Sequence, residues 1–251
     1  MEEMRINAGG RVCKVYVIDN QTVCCSDDPR LSVDRHPLAG GGMSSPQSTP
    51  NGYFCKGISQ HIVVERDAKV DVVLLVMPGT SCDIRLDVRL AGEGAEANIY
   101  GAYVCGGEEK VKIAVDMHHD LPHCNSRQLF KGIAGGTSKV DFYGKIIVAQ
   151  DAQKTEAYQE NNNILLSDGA KVDTKPQLEI YADDVKCSHG ATIGRLNEEE
   201  QFYMRSRGIS LEDAKVLQMI SFIAPVLEHI EDKSQRESIA SRIEESIRQI
   251  I

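Results

Sequence analysis

From about residue 58 to residue 182 apolar and polar residues alternate with a period of two, the spacing that sends successive side chains to opposite faces of a β-strand. The clearest case is CDIRLDVRL at 82–90, where Cys82, Ile84, Leu86, Val88 and Leu90 share one face and Asp83, Arg85, Asp87 and Arg89 the other. One side of such a strand is core and the other meets water. KVDVVLLV, EKVKIAVDM and the stretch around FYGKIIVAQ alternate in a similar way, and no segment of this region has the length and 3.6-residue period of an amphipathic helix. Upstream, RVCKVYVIDNQTVCC at 11–25 predicts two short strands about a polar turn at Asp19 and Asn20. The Gly-, Pro- and Ser-rich run at 36–52 predicts a surface loop.

A loose motif recurs as RDAKVD (66–71), EGAEAN (93–98), GTSKVD (136–141) and DGAKVD (168–173), each with a small residue at a turn before the next strand. Short strands with small-residue corners suit a β-solenoid, whose coils bury their inner faces only when stacked. The intervals between copies are uneven, so the pattern alone leaves a sandwich or barrel open.

At Asn197 the pattern turns helical. Asn197 with Glu200 predicts a capped start, and Arg205 and Arg207 before Gly208 a favourable end, giving a helix over 198–207. Ser210 with Asp213 opens a second helix with an apolar face of Ala214, Leu217, Ile220, Ile223, Leu227 and Ile230 and a kink at Pro225. Ser234 with Glu237 caps a third, striped by Ile239, Ile243, Ile247 and Ile250. The chain thus divides into N-terminal strands and loop (1–57), a β core (58–196) and a helical subdomain (197–251).

A net charge of −9 with dispersed Lys and Arg excludes the basic stripe of a nucleic-acid binder. No apolar run spans a bilayer, and MEEMRINAGG lacks the features of a signal peptide, so no membrane partner and a cytoplasmic location are expected. The eight cysteines include no Cys-x-x-Cys, which argues against zinc ribbons, ferredoxin-type sites and thioredoxin-like pairs. Cys13, Cys82 and Cys105 read as small buried apolar filler. The triple glycine at 40–42 lacks the Lys-Ser/Thr of a phosphate cradle, and GxSxG, HExxH and GxxxxGK(S/T) are absent. Asp183 and Asp184 point to opposite faces of an extended chain, and Asn161, Asn162 and Asn163 suit a stacked polar ladder.

Two groups carry candidate chemistry. Cys187 and His189 in KCSHGAT lie two apart, so in an extended segment thiolate and imidazole project to one face and can meet one metal or cluster edge. His118, His119, His123 and Cys124 in HHDLPHCNS carry ligand types that suit zinc or iron, at a spacing that matches no standard finger and with Pro122 breaking helical phase.

The stretch NNNILLSDGAKVDTKPQLEIYADDVKCSHGATIGRLNEEEQFYMRSRG, from Asn161 to Gly208, resembles the signature of the SufB/SufD family of iron-sulfur cluster assembly proteins of the SUF system, and QLFKG and DAQKTEAYQENNN carry the resemblance back to about residue 118. Before residue 55 it is poor, and the N-terminal helical region of long family members has no counterpart here. The resemblance implies a right-handed parallel β-helix with a C-terminal helical subdomain. It implies a non-catalytic scaffold or scaffold-partner subunit that dimerises with itself or a paralogue, near residues 170–195, to build and transfer a transient iron-sulfur cluster. It implies docking of a SufC-like ABC ATPase on the C-terminal helices, with Glu200, Phe202, Tyr203, Arg205 and Arg207 as contact residues. The family's assembly histidine matches His189, with Cys187 and Cys124 as thiol partners; nothing in the sequence decides whether a flavin takes part. The scaffold-type branch often has a cysteine shortly before Pro-x-Leu/Ile-Glu, where this chain has Ala170, which points towards a SufD-like partner or the use of Cys187 and Cys124. Two other readings stand beside this one: a metal-dependent enzyme on a β-solenoid using His118, His119, His123 and Cys124, and a purely structural interaction subunit.

Overall fold

The computed structural model describes residues 2–19, 23–26 and 56–251. The loop expected at 36–52 and the side chains of Cys24, Cys25 and Cys55 lie outside the described residues. Thirteen strands run in chain order as β1 (Glu2–Ile6), β2 (Arg11–Ile18), β3 (Val23–Ser26), β4 (Lys56–Val64), β5 (Lys69–Val76), β6 (Cys82–Leu90), β7 (Glu96–Cys105), β8 (Lys110–His119), β9 (Asn125–Ala134), β10 (Lys139–Val148), β11 (Glu156–Leu165), β12 (Lys171–Ile180) and β13 (Lys186–Gly194). Three helices follow, α1 (Glu198–Ser206), α2 (Leu211–Leu227) and α3 (Lys233–Ile250).

The strands form two sheets with the orders β1-β4-β6-β8-β10-β12 and β13-β11-β9-β7-β5-β2-β3. Apart from β3, which joins β2 in the second sheet, successive strands alternate between the sheets, and every pairing except β2 with β3 is parallel, so the chain winds as a β-solenoid. A coil takes about thirty residues: Lys69 of β5 bonds Glu96 of β7, 27 residues on, and Lys186 of β13 bonds Glu156 of β11, 30 residues back. β1 and β2 are not a separate N-terminal unit, since they pair in parallel with β4 and β5 and extend the same two sheets. The expected hairpin over 11–25 is present as β2 and β3.

The repeated motif marks the corners of the coils. Its third residue is Ala68, Ala95, Ser138 or Ala170, each buried where the chain bends and only a small side chain fits over the lumen. The first two copies lead into β5 and β7 of one sheet and the last two into β10 and β12 of the other. Hence the uneven intervals: two copies mark one corner and two mark the opposite one.

The two sheets differ in what covers them. β6 alternates buried and accessible positions along its whole length because its outer face meets solvent. β5 and β7 are buried almost throughout, since helices cover the outer face of their sheet and leave no polar side. The one-side-wet reading therefore holds for the first sheet and for most of β9 and β11, and fails for β5 and β7. Val15, Val17, Val73, Leu75, Tyr100 and Ile133 form this outer core with Val216, Met219, Ile223, Ile239, Ile243 and Ile247.

The first helix starts as expected, with Asn197 Oδ1 accepting from the backbone N–H groups of Glu199 and Glu200, and ends at Gly208 in the left-handed region, φ +88°. Two expectations for the other helices are corrected. Asp232, not Ser234, caps α3. The buried face of α2 keeps Ala214, Ile223 and Leu227 as expected and also takes in Val216, Met219 and Val226, leaving Leu217 48% exposed. A second apolar residue beside each anchor made both phasings plausible in the sequence, and the sheet selects one. No helix among the described residues is long and apolar enough to cross a membrane.

Candidate functional site

The last coil is open. Among the described residues β12 bonds only β10 and β13 bonds only β11, so both leave an edge without a strand partner. Positions sealed one coil below are uncovered here because no further coil stacks on them. Ala157 and Gln159 of β11 are buried, while their in-register neighbours Cys187 and His189 are half-buried and exposed. Likewise Ile146 is buried and its neighbour Leu178 only partly so, and Ile193, beside buried Asn163, is 47% exposed. The sequence-predicted pair Cys187 and His189 therefore sits on the lumen-facing side of the terminal coil, among apolar residues, at a free end of the molecule.

Burial pushes the Cys187 thiol up from its ordinary range, with only partial relief from a backbone hydrogen bond at Ala157. A thiol held up in this way binds a metal only by giving up its proton, so a metal bound there would release a proton and bind more strongly as pH rises. Thiolate and imidazole are the ligand types that hold iron in clusters. Two ligands leave a coordination shell incomplete, and no group of three or more His, Cys, Asp or Glu that could hold a metal ion is found among the described residues.

The second candidate group is dispersed, which corrects the alternative reading of it as one site. Adjacent strand residues point to opposite faces, so His118 lies on the outer face of the first sheet, its Nε2 3.6 Å from Asp87, while His119 points into the lumen and is fully buried. His123 is exposed at a corner with φ +61°, and Cys124 is sealed beneath it with Sγ donating to the Gly92 carbonyl at 3.2 Å. Cys124 stands two coils below Cys187, beside Ser126 of β9, which is stacked under Ala157 and Cys187. Parallel strands about 4.8 Å apart put it roughly 10 Å from that thiol. It acts in packing and does not join the open-end pair.

His119 Nε2 lies 2.8 Å from Ser126 Oγ, and burial drives its pKa down from 6.5 to about 3. A folded-state value below the unfolded one contributes stability above about pH 6.5 that is lost as pH falls towards the folded value, at no more than about 1.4 kcal/mol per pH unit. His119→Gln, which keeps a partner for Ser126, should flatten the decline in urea midpoint between about pH 7 and about pH 5. A decline identical to that of the parent would remove His119 as its cause.

A second accessible feature lies on the helices. Tyr203, Met204 and Leu217 floor a groove of about 580 Å³ between α1 and α2, rimmed by Asn197, Glu199 and Ser221. Phe202 stands 73% exposed beside it, and the Arg207 guanidinium lies over the Tyr203 ring at 5.3 Å. Arg205 is exposed on the same helix. Glu200 accepts from Asn197 Nδ2 at 3.1 Å and Gln218 Nε2 at 2.8 Å, so it ties the helices together while standing exposed in the groove lining. Leu217 was missed because the sequence phased it into the core.

Residues 52–222, from the first described coils to the middle of α2, match the family model for the SUF system FeS cluster assembly SufBD core domain. The chain belongs to the SufB/SufD family. The iron-sulfur cluster assembly protein SufD of Escherichia coli (strain K12) is 49% identical over 127 residues, covering 51% of this chain and 30% of that protein. A SufBD family protein of Synechocystis is 47% identical over 109 residues, 43% of this chain and 24% of the relative. One from Mycobacterium leprae is 28% identical over 197 residues, 75% of this chain and 50% of the relative. The chain thus spans half or less of the length of these relatives. The matched SufBD region contains both the open coil and the α1–α2 groove.

Proposed function

We propose that this chain is a SufD-like assembly subunit that pairs through its open terminal coil with a second β-helix chain and holds a nascent iron-sulfur cluster at that seam, with Cys187 and His189 as its ligands. The cluster is cargo, built and passed on. The observation that carries the reading is the pairing of two unsatisfied strand edges with an incomplete thiol–imidazole ligand set on the same open coil. A second chain across the seam supplies the remaining ligands and covers the exposed apolar residues, and a two-fold arrangement brings Cys187 and His189 from both sides. Ala170, a buried corner residue one coil edge away, has no thiol to add, which favours a partner role alongside a scaffold-type paralogue. The exposed face of α1 around Phe202 and Tyr203, with the groove beside it, is the surface for an ABC-type ATPase, which brings the nucleotide chemistry this chain's sequence motifs do not provide.

Sedimentation velocity tests the seam. Ile193→Asp places a charge on the apolar edge near the end of β13, and truncating or charging an interface anchor typically costs about 2 kcal/mol or more, so self-association or association with a scaffold-type paralogue should weaken at least about tenfold. Phe202→Asp, on the helices, should leave this association unchanged and weaken capture of the ATPase instead. A parent chain that stays monomeric at all concentrations and with every SUF component added would overturn the seam.

A further inference from the structure

The lumen lining of the second sheet changes along the stack. In β5 and β7 it is Val70, Val72, Leu74 and Val76, then Ala97, Ile99, Gly101 and Tyr103. In β9 and β11 it becomes Ser126, Gln128, Phe130 and Gly132, then Ala157, Gln159, Asn161 and Asn163. Amide side chains line this sheet in the coils nearest the open end, whereas at the other end the buried Tyr16 hydroxyl donates to Gln60 and leaves neither alone. One lumen column reads Ile99, Gln128, Gln159, His189 in strict register, so two buried amides are stacked directly behind the exposed imidazole.

The neighbouring asparagines satisfy one another. Asn163 donates to Asn161 at 2.8 Å, Asn161 donates to Thr174 Oγ1 at 3.2 Å, and the Tyr103 hydroxyl donates to Asn163. The glutamines do not. Gln128 and Gln159 are 0% and 1% exposed, and neither the amide oxygen nor the amide nitrogen of either has a protein partner. Buried amides left unpaired cost about 1–3 kcal/mol each, and such groups are met by ordered water or by a neighbouring polar side chain. The Gln159 amide reaches across the lumen into space left by a missing side chain, since a Cβ at Gly144 would come within 1.8 Å of its Nε2.

We infer that the Gln159 amide, which has no partner in this structure, turns along the column to hydrogen-bond a ring nitrogen of its in-register neighbour His189, with Gln128 and an ordered water behind it, and fixes the tautomer that presents the other nitrogen at the seam. Gln159 is then a positioning residue, because a ligating histidine needs its second nitrogen held to aim the first. The inference rests on His189 acting as the ligand proposed above, but its test needs no iron, so the two can fail separately.

The experiment is long-range ¹H–¹⁵N correlation NMR of the full iron-free chain with ¹⁵N-labelled histidine, at about pH 8, where an ordinary imidazole is neutral. His189 in the parent is expected to show one dominant tautomer, set apart from the exposed His123. Gln159→Leu and the isosteric Gln159→Met should move its tautomer ratio about tenfold towards that of His123, as loss of one hydrogen bond implies, with the His118 and His229 signals unmoved. If Gln159→Leu does not fold, the Gln159→Met and parent spectra decide. A parent His189 with the same ratio as His123, or a ratio unchanged in the folded variants, would overturn the inference.

Discussion

Cys187→Ala combined with His189→Ala should abolish the visible absorption of a cluster formed when the protein and its β-helix partner are given iron and sulfide anaerobically, with bound iron and acid-labile sulfide falling at least about tenfold. In the proposed assembly thiolate and imidazole are this chain's whole contribution to the shell at the seam, and removing both would leave only the partner's ligands. The loss should occur in a folded protein. Cys187 is half-buried and His189 exposed on a coil that nothing stacks upon, so truncation opens no sealed cavity. Cys124→Ala gives the contrast: its thiol is sealed at a corner below, so it should cost some stability and spare the cluster. Full cluster yield from the double variant, or loss confined to Cys124→Ala, would contradict the assignment.

Phe130→Ala should be among the most destabilising single truncations of the solenoid. Phe130 is fully buried, packs at 4.7 Å and 56° on the Phe142 ring across the lumen, and fills the room over Gly101, where a Cβ would come within 2.2 Å of its ring. Three coils thus meet on one ring, and the backbone of Gly101 cannot collapse into the space it leaves. Burying a phenyl ring of this kind is worth about 3–5 kcal/mol on truncation to alanine, and for a chain of this size that lowers Tm by roughly 6–20 °C. Thermal denaturation checks it, and a change under about 1 kcal/mol would mean the lumen is not packed around this ring.

Some of this was legible in the residues and some was not, for reasons that differ by element. The alternation of CDIRLDVRL announced β6 because its outer face meets water, whereas KVDVVLLV hid its two-sided burial because helices distant in sequence cover it. Asn197, Ser210 and Gly208 marked helix ends correctly, since caps are local chemistry. The faces of α2 were not, since which apolar stripe is buried depends on the sheet it meets. Cys187 and His189 could be paired from their spacing and the SufB/SufD resemblance. His118, His119, His123 and Cys124 looked equally close in sequence, and a strand followed by a corner sent them to different faces. The glutamine column behind His189 was invisible without the coil register, because its members stand a whole coil apart in the chain and share no local motif.

The most direct test is pulsed electron paramagnetic resonance of the reduced cluster on the assembled complex, with ¹⁵N histidine introduced only into this chain. A hyperfine coupling that responds to the label and disappears in His189→Ala is expected, since it places this chain's imidazole on the iron at the seam. A cluster formed in full yield whose spectrum shows no nitrogen from this chain would contradict the account.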